Sequence, residues 1–338
     1  MKKIGVLGAG TWGMALARML CINGHEVTVW SALEREIEEF SATRRHPNLP
    51  GMVIPEAIRF TKDMETVCSG KDVLLFAVPS PFVRATAKKA APYIPHGQII
   101  VDVAKGIEAD TLFTMTQIIA DALQDPSVKL VALSGPTHAE EVARDLPTTI
   151  VSACEDQAAA EQVQDIFWGT CMRVYTNADV LGVELCGAMK NIIALASGIA
   201  TGLGFGDNAK AALITRGIVE ISRLGTAMGC REQTFGGLAG IGDLIVTATS
   251  MHSRNNRCGM LLGQGIAPAE AVKQVGMVVE GINALPAAMR LKEHYRVEMP
   301  IVEAVNAIVN EGADAMTTVR ALMARDKKPE LPHDAFQE

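Results

Sequence analysis

The stretch KIGVLGAGTWGMALARMLCINGHEVTVW, residues 3–30, decides the expected fold. It begins with an apolar, strand-like run at 3–7 and passes through the glycine-rich motif GAGTWG at 8–13. A helix-like segment at 14–23 leads to a second strand-like run at 26–30. The spacing G-x-G-x-x-G between a strand and a helix, within a unit of about 30 residues, is typical of a dinucleotide-binding βαβ unit.

The three glycines of the motif have different physical roles. Gly8 permits the tight turn after the strand, Gly10 lets the backbone approach a pyrophosphate, and Gly13 lets the helix pack on the strand. The N-terminus of the helix that follows supplies free amides and positive potential, which attract phosphate. Glycine-rich turns are common, so the surrounding strand–turn–helix pattern is what favours a cofactor site here.

The end of the second strand normally distinguishes NAD from NADP. An acidic side chain there binds the ribose hydroxyls, whereas an arginine accommodates the 2′-phosphate. This chain places Ser31 and Ala32 after Trp30, and Glu34 and Arg35 follow a few residues later. Neither signal is in place, so the choice between NAD and NADP stays open.

The alternation of strands and helices continues along the first half of the chain. Continuous apolar runs separated by helical patterns predict a parallel sheet covered on both faces, with ligands bound beyond the carboxyl ends of its strands. Further strands are predicted at 72–78, 99–103, 129–134, 148–153 and 172–175, and helices at 82–91, 112–123, 139–144 and 157–167. The loops at 8–13, 78–81, 105 and 135–137 should therefore converge on one edge.

From Asp179 onward strand signals disappear. Helices are predicted at 179–201, 207–228, 233–248, 254–264, 268–275, 280–295 and 300–324. We therefore expect an α/β N-terminal Rossmann-type dinucleotide-binding domain at 1–178 and an all-α C-terminal substrate domain at 179–338.

The helix at 179–201 contains an unusual lysine. Lys190 lies opposite the main apolar face, with Gly187 and Ala194 a turn away and Ser197 near. One interpretation is a solvated lysine on a helix that packs closely against another, and the helix alone favours it. The other is a lysine in the floor of a cleft, where the small neighbours leave space for a substrate and burial tunes the pKa for proton transfer.

Other polar residues have comparable alternatives. Ser253, Arg254 and Asn255 begin a helix and suit a phosphate, although Ser253 can equally be a helix N-cap. Asp243, in an apolar glycine-rich setting, can orient a lysine, bind a hydroxyl or cap a helix. Lys105 follows a strand end, and His138 is a rival general base at the start of a helix, where the dipole opposes its protonation.

Composition excludes several classes of function. The chain has 338 residues, 49% of them hydrophobic, and a formal charge of −7, which argues against a general nucleic-acid or membrane-surface binder. Its apolar runs are judged too short to span a membrane, and we expect a cytoplasmic protein. Seven scattered cysteines and seven histidines without metal-ligand spacing suggest no metal site.

Longer motifs identify a family resemblance. Nine motifs occur in order along the whole chain: GAGTWGMALA (8–17), NLPG (48–51), AVPS (77–80), KGIE (105–108), SGPTHAEEVA (134–143), GVELCGAMKNIIALASGIATGLGFGDNAKAALITRG (182–217), TFGGLAGIGDLIVT (234–247), SRNNR (253–257) and VVEG (278–281). With these motifs the chain resembles bacterial NAD(P)-dependent glycerol-3-phosphate dehydrogenases. The resemblance implies reversible oxidation of sn-glycerol 3-phosphate to dihydroxyacetone phosphate for glycerophospholipid synthesis, and a homodimer.

The resemblance also implies roles for individual residues. Lys190 is the proton acceptor and donor at the C2 oxygen. The matching substrate-binding positions are Lys105, Gly135, Thr137, Lys190, Asn191, Asp243, Ser253, Arg254 and Asn255. The matching cofactor-binding positions are Gly8, Gly10, Thr11, Trp12, Gly13, Lys105, Ala139, Arg254, Val278 and Glu280. Many relatives have an arginine where this chain has Ser31 and Ala32, which argues against strong NADP preference.

Two other functions fit the same pattern. One is a reductase of another small hydroxy acid on the same two-domain plan, for which no phosphate site is expected. The other is a non-catalytic NAD(H)-sensing protein, which needs no Lys190–Asp243 constellation.

Overall fold

The computed structural model describes residues 1–327 and 329–330 of the chain. Its sheet has eight strands in the order β3-β2-β1-β4-β5-β6-β7-β8. The strands are β1 Lys3–Leu7, β2 Glu26–Trp30, β3 Arg59–Thr61, β4 Val73–Phe76, β5 Ile99–Asp102, β6 Lys129–Ser134, β7 Thr148–Ala153 and β8 Met172–Asn177. Reversal of the strand order around β1 is the feature that opens a ligand crevice in a doubly wound fold.

The sheet is parallel with one exception. β6 and β7 pair antiparallel, whereas β7 and β8 are again parallel. Between β6 and β7 the only helix is Ala139–Val142, which is too short to carry the chain back across the sheet. The expectation of a parallel sheet therefore fails at this one pair, and the last two predicted strands complete the sheet as expected.

The helices lie on both faces of the sheet and then form the second half of the molecule. They are α1 Thr11–Ile22, α2 Glu34–Thr43, α3 Met64–Cys68, α4 Val83–Ala90, α5 Met115–Leu123, α6 Ala139–Val142, α7 Gln157–Ile166, α8 Val180–Gly202, α9 Asp207–Ala227, α10 Glu232–Phe235, α11 Asp243–Thr249, α12 Arg254–Gly263, α13 Pro268–Val275, α14 Glu280–Tyr295, α15 Pro300–Asn310 and α16 Ala315–Met323. Among the described residues no strand follows β8.

Several elements differ from the sequence predictions. The predictions missed β3, α2 and α3. The helix predicted at 233–248 is in fact α10, a π-helical turn Leu238–Gly242 and α11. The helix predicted at 300–324 is two helices, because Gly312 takes a left-handed conformation (φ 72°) between α15 and α16.

Helix α8 is the core of the helical half. It packs against α9, α11, α12 and α14, and it is buried on all sides from Gly182 to Ala200. By length and composition it could cross a membrane, so the prediction that no apolar run approaches that length is wrong. However, 89% of its most apolar stretch is buried inside the protein, as expected of a central core helix.

Glycines bring α8 and α12 into backbone contact. A Cβ added at Gly198 would lie 2.1 Å from the carbonyl oxygen of Asn256, and one at Gly202 would lie 2.2 Å from that of Met260. A Cβ at Gly259 would lie 2.2 Å from the carbonyl oxygen of Leu195 on the other helix. Any larger residue at these positions would force the helices apart.

Candidate active site

A cleft of about 590 Å³ lies between the carboxyl ends of the sheet strands and the helical half. The predicted site residues that line it are Gly10, Thr11, Trp12, Lys105, Thr137, Ala139, Lys190, Asn191, Ser253, Arg254, Asn255, Val278 and Glu280. The other four, Gly8, Gly13, Gly135 and Asp243, lie behind this lining. The topology therefore gathers residues from both halves of the chain around one space.

The glycine-rich turn has the geometry that a dinucleotide requires. Gly8 has φ 123°, and a Cβ there would lie 2.7 Å from the carbonyl carbon of Ala77. A Cβ on Gly13 would lie 2.3 Å from the carbonyl oxygen of Gly8, which explains the close packing of α1 on β1. Gly10 faces open space in the cleft wall and N-caps α1 without a side-chain cap. The first amides of α1 are thus available to a pyrophosphate.

Behind the cleft lining, one carboxylate is shared by two lysines that do line the cleft. Asp243 is 0% exposed; its Oδ2 accepts a hydrogen bond of 2.6 Å from Lys105 Nζ, and its Oδ1 accepts one from Lys190 Nζ. Lys190 also donates to Thr247 Oγ1 at 2.7 Å, and that hydroxyl donates to the backbone carbonyl of Asp243. Lys105 donates a second bond, of 3.1 Å, to the carbonyl of Gly135. Asp243 therefore orients both lysines.

Burial changes the acidity of Lys190. The side chain lines the cleft, but the residue is only 5% exposed. Burial lowers the pKa of Lys190 to about 7; Asp243 opposes this effect, and the like charge of Lys105 adds to it. The interpretation of Lys190 as a solvated surface lysine is therefore wrong. With this pKa, both the ammonium form, which can donate a proton, and the neutral amine, which can accept one, are present near neutral pH.

The small residues near Lys190 do not provide the space that the sequence suggested. A Cβ on Gly187 would lie 3.3 Å from Cγ of Lys105 and 3.2 Å from Oγ of Ser134, so this glycine makes room for the Lys105 side chain. Ser197 is 0% exposed and donates to the carbonyl of Ala248 at 2.8 Å. The expectation that these positions leave space for a substrate is corrected: they pack the lysine helix against its neighbours.

The phosphate-binding candidates lie at the start of α12, the helix packed against α8, and line the same cleft. Ser253 caps α12 by accepting a bond from the amide of Asn256, and it also lines the cleft, so the two interpretations of Ser253 are compatible. Asn255 donates to Asn191 Oδ1 at 2.9 Å and accepts from the amide of Gly281 at 2.9 Å. These bonds fix two of the candidate side chains before any ligand binds.

Glu280 connects the two halves of the molecule. Its carboxylate accepts a bond of 2.6 Å from Ser80 Oγ and one of 3.3 Å from the Ser80 amide, in the turn that follows β4. The sequence predictions missed Ser80 and Thr247. The signal for Thr247 was its position four residues after Asp243 on one helix, whereas Ser80 could be assigned only from the tertiary contact.

His138 is less suited than Lys190 to be the general base. Burial lowers the pKa of His138, and the charge of Lys190 lowers it further, so the ring is a weaker proton acceptor than an ordinary histidine. Its Nε2 is buried and has no hydrogen-bond partner among the described residues. The ring lies 5.7 Å from that of His252.

At the far end of the cleft, a side-chain hydrogen bond joins the residue that follows β2 to the first turn of α2. Ser31 Oγ donates to Glu36 Oε2 at 2.5 Å and accepts from the amide of Leu33 at 3.1 Å. Arg35, Glu36 and Glu39 of α2 line this end of the cleft.

Comparison with protein-family models identifies both halves of the chain. Residues 3–160 match the N-terminal model of NAD-dependent glycerol-3-phosphate dehydrogenase, and residues 179–320 match the C-terminal model of the same family.

Similar proteins cover the whole chain. A glycerol-3-phosphate dehydrogenase [NAD(P)+] 2 of Lactobacillus delbrueckii subsp. bulgaricus is 68% identical over 335 residues, 98% of this chain and 99% of the relative. A glycerol-3-phosphate dehydrogenase [NAD(P)+] of Agathobacter rectalis is 52% identical over 98% of both chains. The crystal structure of a glycerol-3-phosphate dehydrogenase from Coxiella burnetii, 36% identical, superposes with a TM-score of 0.91 over 96% of this chain and 99% of that chain.

Proposed function

The chain belongs to the NAD-dependent glycerol-3-phosphate dehydrogenase family, and from this premise we propose how the residues of the cleft carry out the family's reaction. The protein is an oxidoreductase that interconverts sn-glycerol 3-phosphate and dihydroxyacetone phosphate with NAD or NADP. This reaction supplies the backbone of glycerophospholipids. The observation that carries the residue assignments is the buried Lys190–Asp243–Lys105 group in the wall of a cleft that begins at the glycine-rich turn.

Lys190 moves the proton. When bound, the nicotinamide cofactor supplies or accepts the hydride at C2 of the substrate. During reduction the Lys190 ammonium donates a proton to the C2 oxygen, and during oxidation the neutral amine removes it. A pKa of about 7 makes both forms available near neutral pH.

Asp243 and Lys105 support that proton transfer in different ways. Asp243 is fully buried and bonded to both lysines, so it positions them at the reacting end of the substrate. Lys105 lines the cleft, and its positive charge stabilises the oxyanion that develops at C2. Gly135 offers its carbonyl to Lys105, and thus it also acts through the lysine.

The phosphate of the substrate binds at the start of α12. Arg254 supplies a guanidinium, which can form two parallel bonds to phosphate oxygens. Ser253 and Asn255 lie beside it in the cleft wall, and Asn191 is bonded to Asn255. Thr137 closes the same space from the loop after β6.

The cofactor occupies the remainder of the cleft. Gly10, Thr11 and Trp12 at the start of α1, in the turn shaped by Gly8 and Gly13, would hold its pyrophosphate. The other cofactor positions proposed are Lys105, Ala139, Arg254, Val278 and Glu280, which all line the cleft.

We further propose a role for each domain, the oligomeric state of the enzyme and its location in the cell. Residues 1–178 bind the cofactor and residues 179–338 supply the substrate site and Lys190. The protein is a homodimer in the cytoplasm, as its resemblance to bacterial dehydrogenases implies. Light scattering after size-exclusion chromatography tests this stoichiometry, and a monomer at micromolar concentration would contradict it.

Spectrophotometry of cofactor oxidation tests the function. We expect NADH or NADPH to be oxidised with dihydroxyacetone phosphate and not with unphosphorylated dihydroxyacetone, because Arg254 requires the phosphate. Equal rates with both ketones would favour a reductase of another small hydroxy acid. Tight NADH binding without turnover would favour an NAD(H)-sensing protein.

A Lys190→Met variant tests the proton-transfer role. We expect kcat to fall by roughly 10²–10⁴-fold, the contribution of a positioned acid–base group, while NADH binding measured by fluorescence is retained. Lys273→Met, on the exposed face of α13, is the matched control and should keep the wild-type kcat. A Lys190→Met enzyme with near-normal turnover would exclude the assignment.

A further inference from the structure

The carboxyl end of β2 has no acidic residue in sequence, yet the fold places one there. Ser31, the residue after β2, is only 4% exposed, and its hydroxyl donates to the Glu36 carboxylate at 2.5 Å. The Leu33 amide donates to the same hydroxyl and shapes the turn into α2. Glu36, in the first turn of α2, is thereby held against the strand end and lines the cleft.

The neighbouring charges distinguish Glu36 from the other acids of α2. Glu34 forms an ion pair with Lys62 and does not line the cleft. Glu39 lines the cleft one turn after Glu36, so two carboxylates face the same end. Burial lowers the pKa of the nearby His46, although the charges of Glu36 and Glu39 oppose this effect.

Arg35 is the one cation of α2 that lines this end of the cleft. It is exposed, and no hydrogen bond or ion pair to another described residue fixes its guanidinium. Water and salt screen an exposed charge more strongly than a half-buried one. The negative charges of Glu36, which Ser31 holds in place, and of Glu39 therefore outweigh the positive charge of the exposed Arg35 guanidinium.

We propose that Glu36, held in place by Ser31, makes the enzyme select NAD(H) over NADP(H). The carboxylate accepts hydrogen bonds from the two free hydroxyls of the adenosine ribose. A 2′-phosphate at the same place meets two like charges and loses one hydroxyl donor, so it binds less well. This inference rests on the proposed dehydrogenase function and specifies which of the two cofactors serves it.

Binding of cofactor fragments tests the selection without turnover. Calorimetric titration of the full chain with ADP-ribose and with its 2′-phosphate should give at least a roughly tenfold weaker Kd for the phosphorylated fragment, as like-charge contacts produce. In Glu36→Gln, which keeps an oxygen for the Ser31 hydroxyl, the 2′-phosphate fragment should bind about tenfold more tightly than in the wild type, with little change for ADP-ribose.

Two further variants complete the test. Ser31→Ala releases Glu36 from the strand end and should reduce the discrimination to a value between those of the wild type and Glu36→Gln. Glu34→Gln removes a carboxylate from the same turn of α2 outside the cleft, and it should discriminate as the wild type does.

The outcomes separate this inference from the proposed function. Equal or tighter binding of the 2′-phosphate fragment by the wild type, or unchanged discrimination in Glu36→Gln, would overturn the role of Glu36. Loss of 2′-phosphate binding in Arg35→Gln would then assign the selection to Arg35. Failure of both NADH and NADPH to reduce dihydroxyacetone phosphate would refute the dehydrogenase function, whereas the fragment titrations would still measure the selectivity of the cleft.

Discussion

The two ends of the cleft use charge in opposite ways. At the reaction end, Lys190, Lys105 and Asp243 are buried or nearly so, and each is bonded to another member of the group. At the ribose end, Arg35 is exposed and Glu36 and Glu39 are half-buried beside it. A charge out of water changes the acidity of its neighbours, whereas a charge near water acts mainly by attracting or repelling a ligand. Burial thus separates acid–base chemistry from cofactor selection within one cleft.

The reaction end depends on the balance between one carboxylate and two ammonium groups. Asp243 opposes the burial that lowers the pKa of Lys190. Without it, two buried lysines face each other with only neutral acceptors. This end should therefore respond most strongly to the loss of a single charge.

Among the tests of this contrast between the two ends of the cleft, Asp243→Asn should have the largest effect on the reaction rate. Removing the carboxylate charge lowers the pKa of Lys190 further, so at pH 7 the proton donor for reduction is neutral. We expect kcat for dihydroxyacetone phosphate reduction to fall roughly 10²–10⁴-fold, and oxidation of glycerol 3-phosphate at pH 9 to fall much less. Steady-state rates in both directions measure this asymmetry.

A second buried carboxylate provides the control for that variant. Asp179 accepts bonds from the amides of Gly182 and Arg231 and from the hydroxyl of Thr234, outside the cleft. Asp179→Asn should reduce the free energy of unfolding by about 1–3 kcal/mol and leave the wild-type pH profile unchanged. Equal losses in both directions for Asp243→Asn, or a changed pH profile for Asp179→Asn, would contradict the positioning role of Asp243.

The pH dependence of the wild type should be the next largest effect. Reduction needs the Lys190 ammonium, so kcat/KM for dihydroxyacetone phosphate should decrease as pH rises through about 7. Oxidation needs the neutral amine, so kcat/KM for glycerol 3-phosphate should increase through the same pH. Lys105→Met removes a like charge and should move both inflections to higher pH. Parallel profiles in the two directions would refute Lys190 as the titrating group.

A change in salt concentration should produce the smallest effect, and it should affect the ribose end of the cleft more than the reaction end. Raising the ionic strength from roughly 0.05 to 0.5 M shortens the screening length several-fold, so the preference for ADP-ribose over its 2′-phosphate should weaken a few-fold. The inflection near pH 7 should move little, because the lysine group is buried. If salt moved that inflection strongly and left cofactor selectivity constant, the contrast between a buried reaction end and an exposed ribose end would be refuted.

Local sequence signals predicted the βαβ unit and the succession of elements well. The glycine motif at 8–13 fixes a turn through its own backbone requirements, and apolar runs of strand length specify β4, β5 and β6. By contrast, β3 has three residues and α2 is rich in charge, so neither has a strong periodic pattern. Their positions depend on pairing and packing with distant residues.

The sequence predicts which residue types form the site better than it predicts how those residues are arranged in space. The small residues around Lys190 were correctly seen as unusual, but their partners lie on other elements, such as Lys105 for Gly187 and Ala248 for Ser197. The pKa of Lys190 depends on burial and on the charges of Asp243 and Lys105, which lie on other segments and which no single helix pattern contains. The Ser31–Glu36 bond is local, but it was missed because a turn brings the acid back to the strand end.

The glycine contact between α8 and α12 couples the helix that carries Lys190 to the helix that begins with Arg254. Lys190 lies two turns before Gly198 on α8, and Arg254 lies just over one turn before Gly259 on α12. Because backbone touches backbone at the crossing, no side chain separates the two helices there. The two helices that bear these residues therefore behave as one rigid unit, and any larger residue at the crossing would change the distance between the backbones of Lys190 and Arg254.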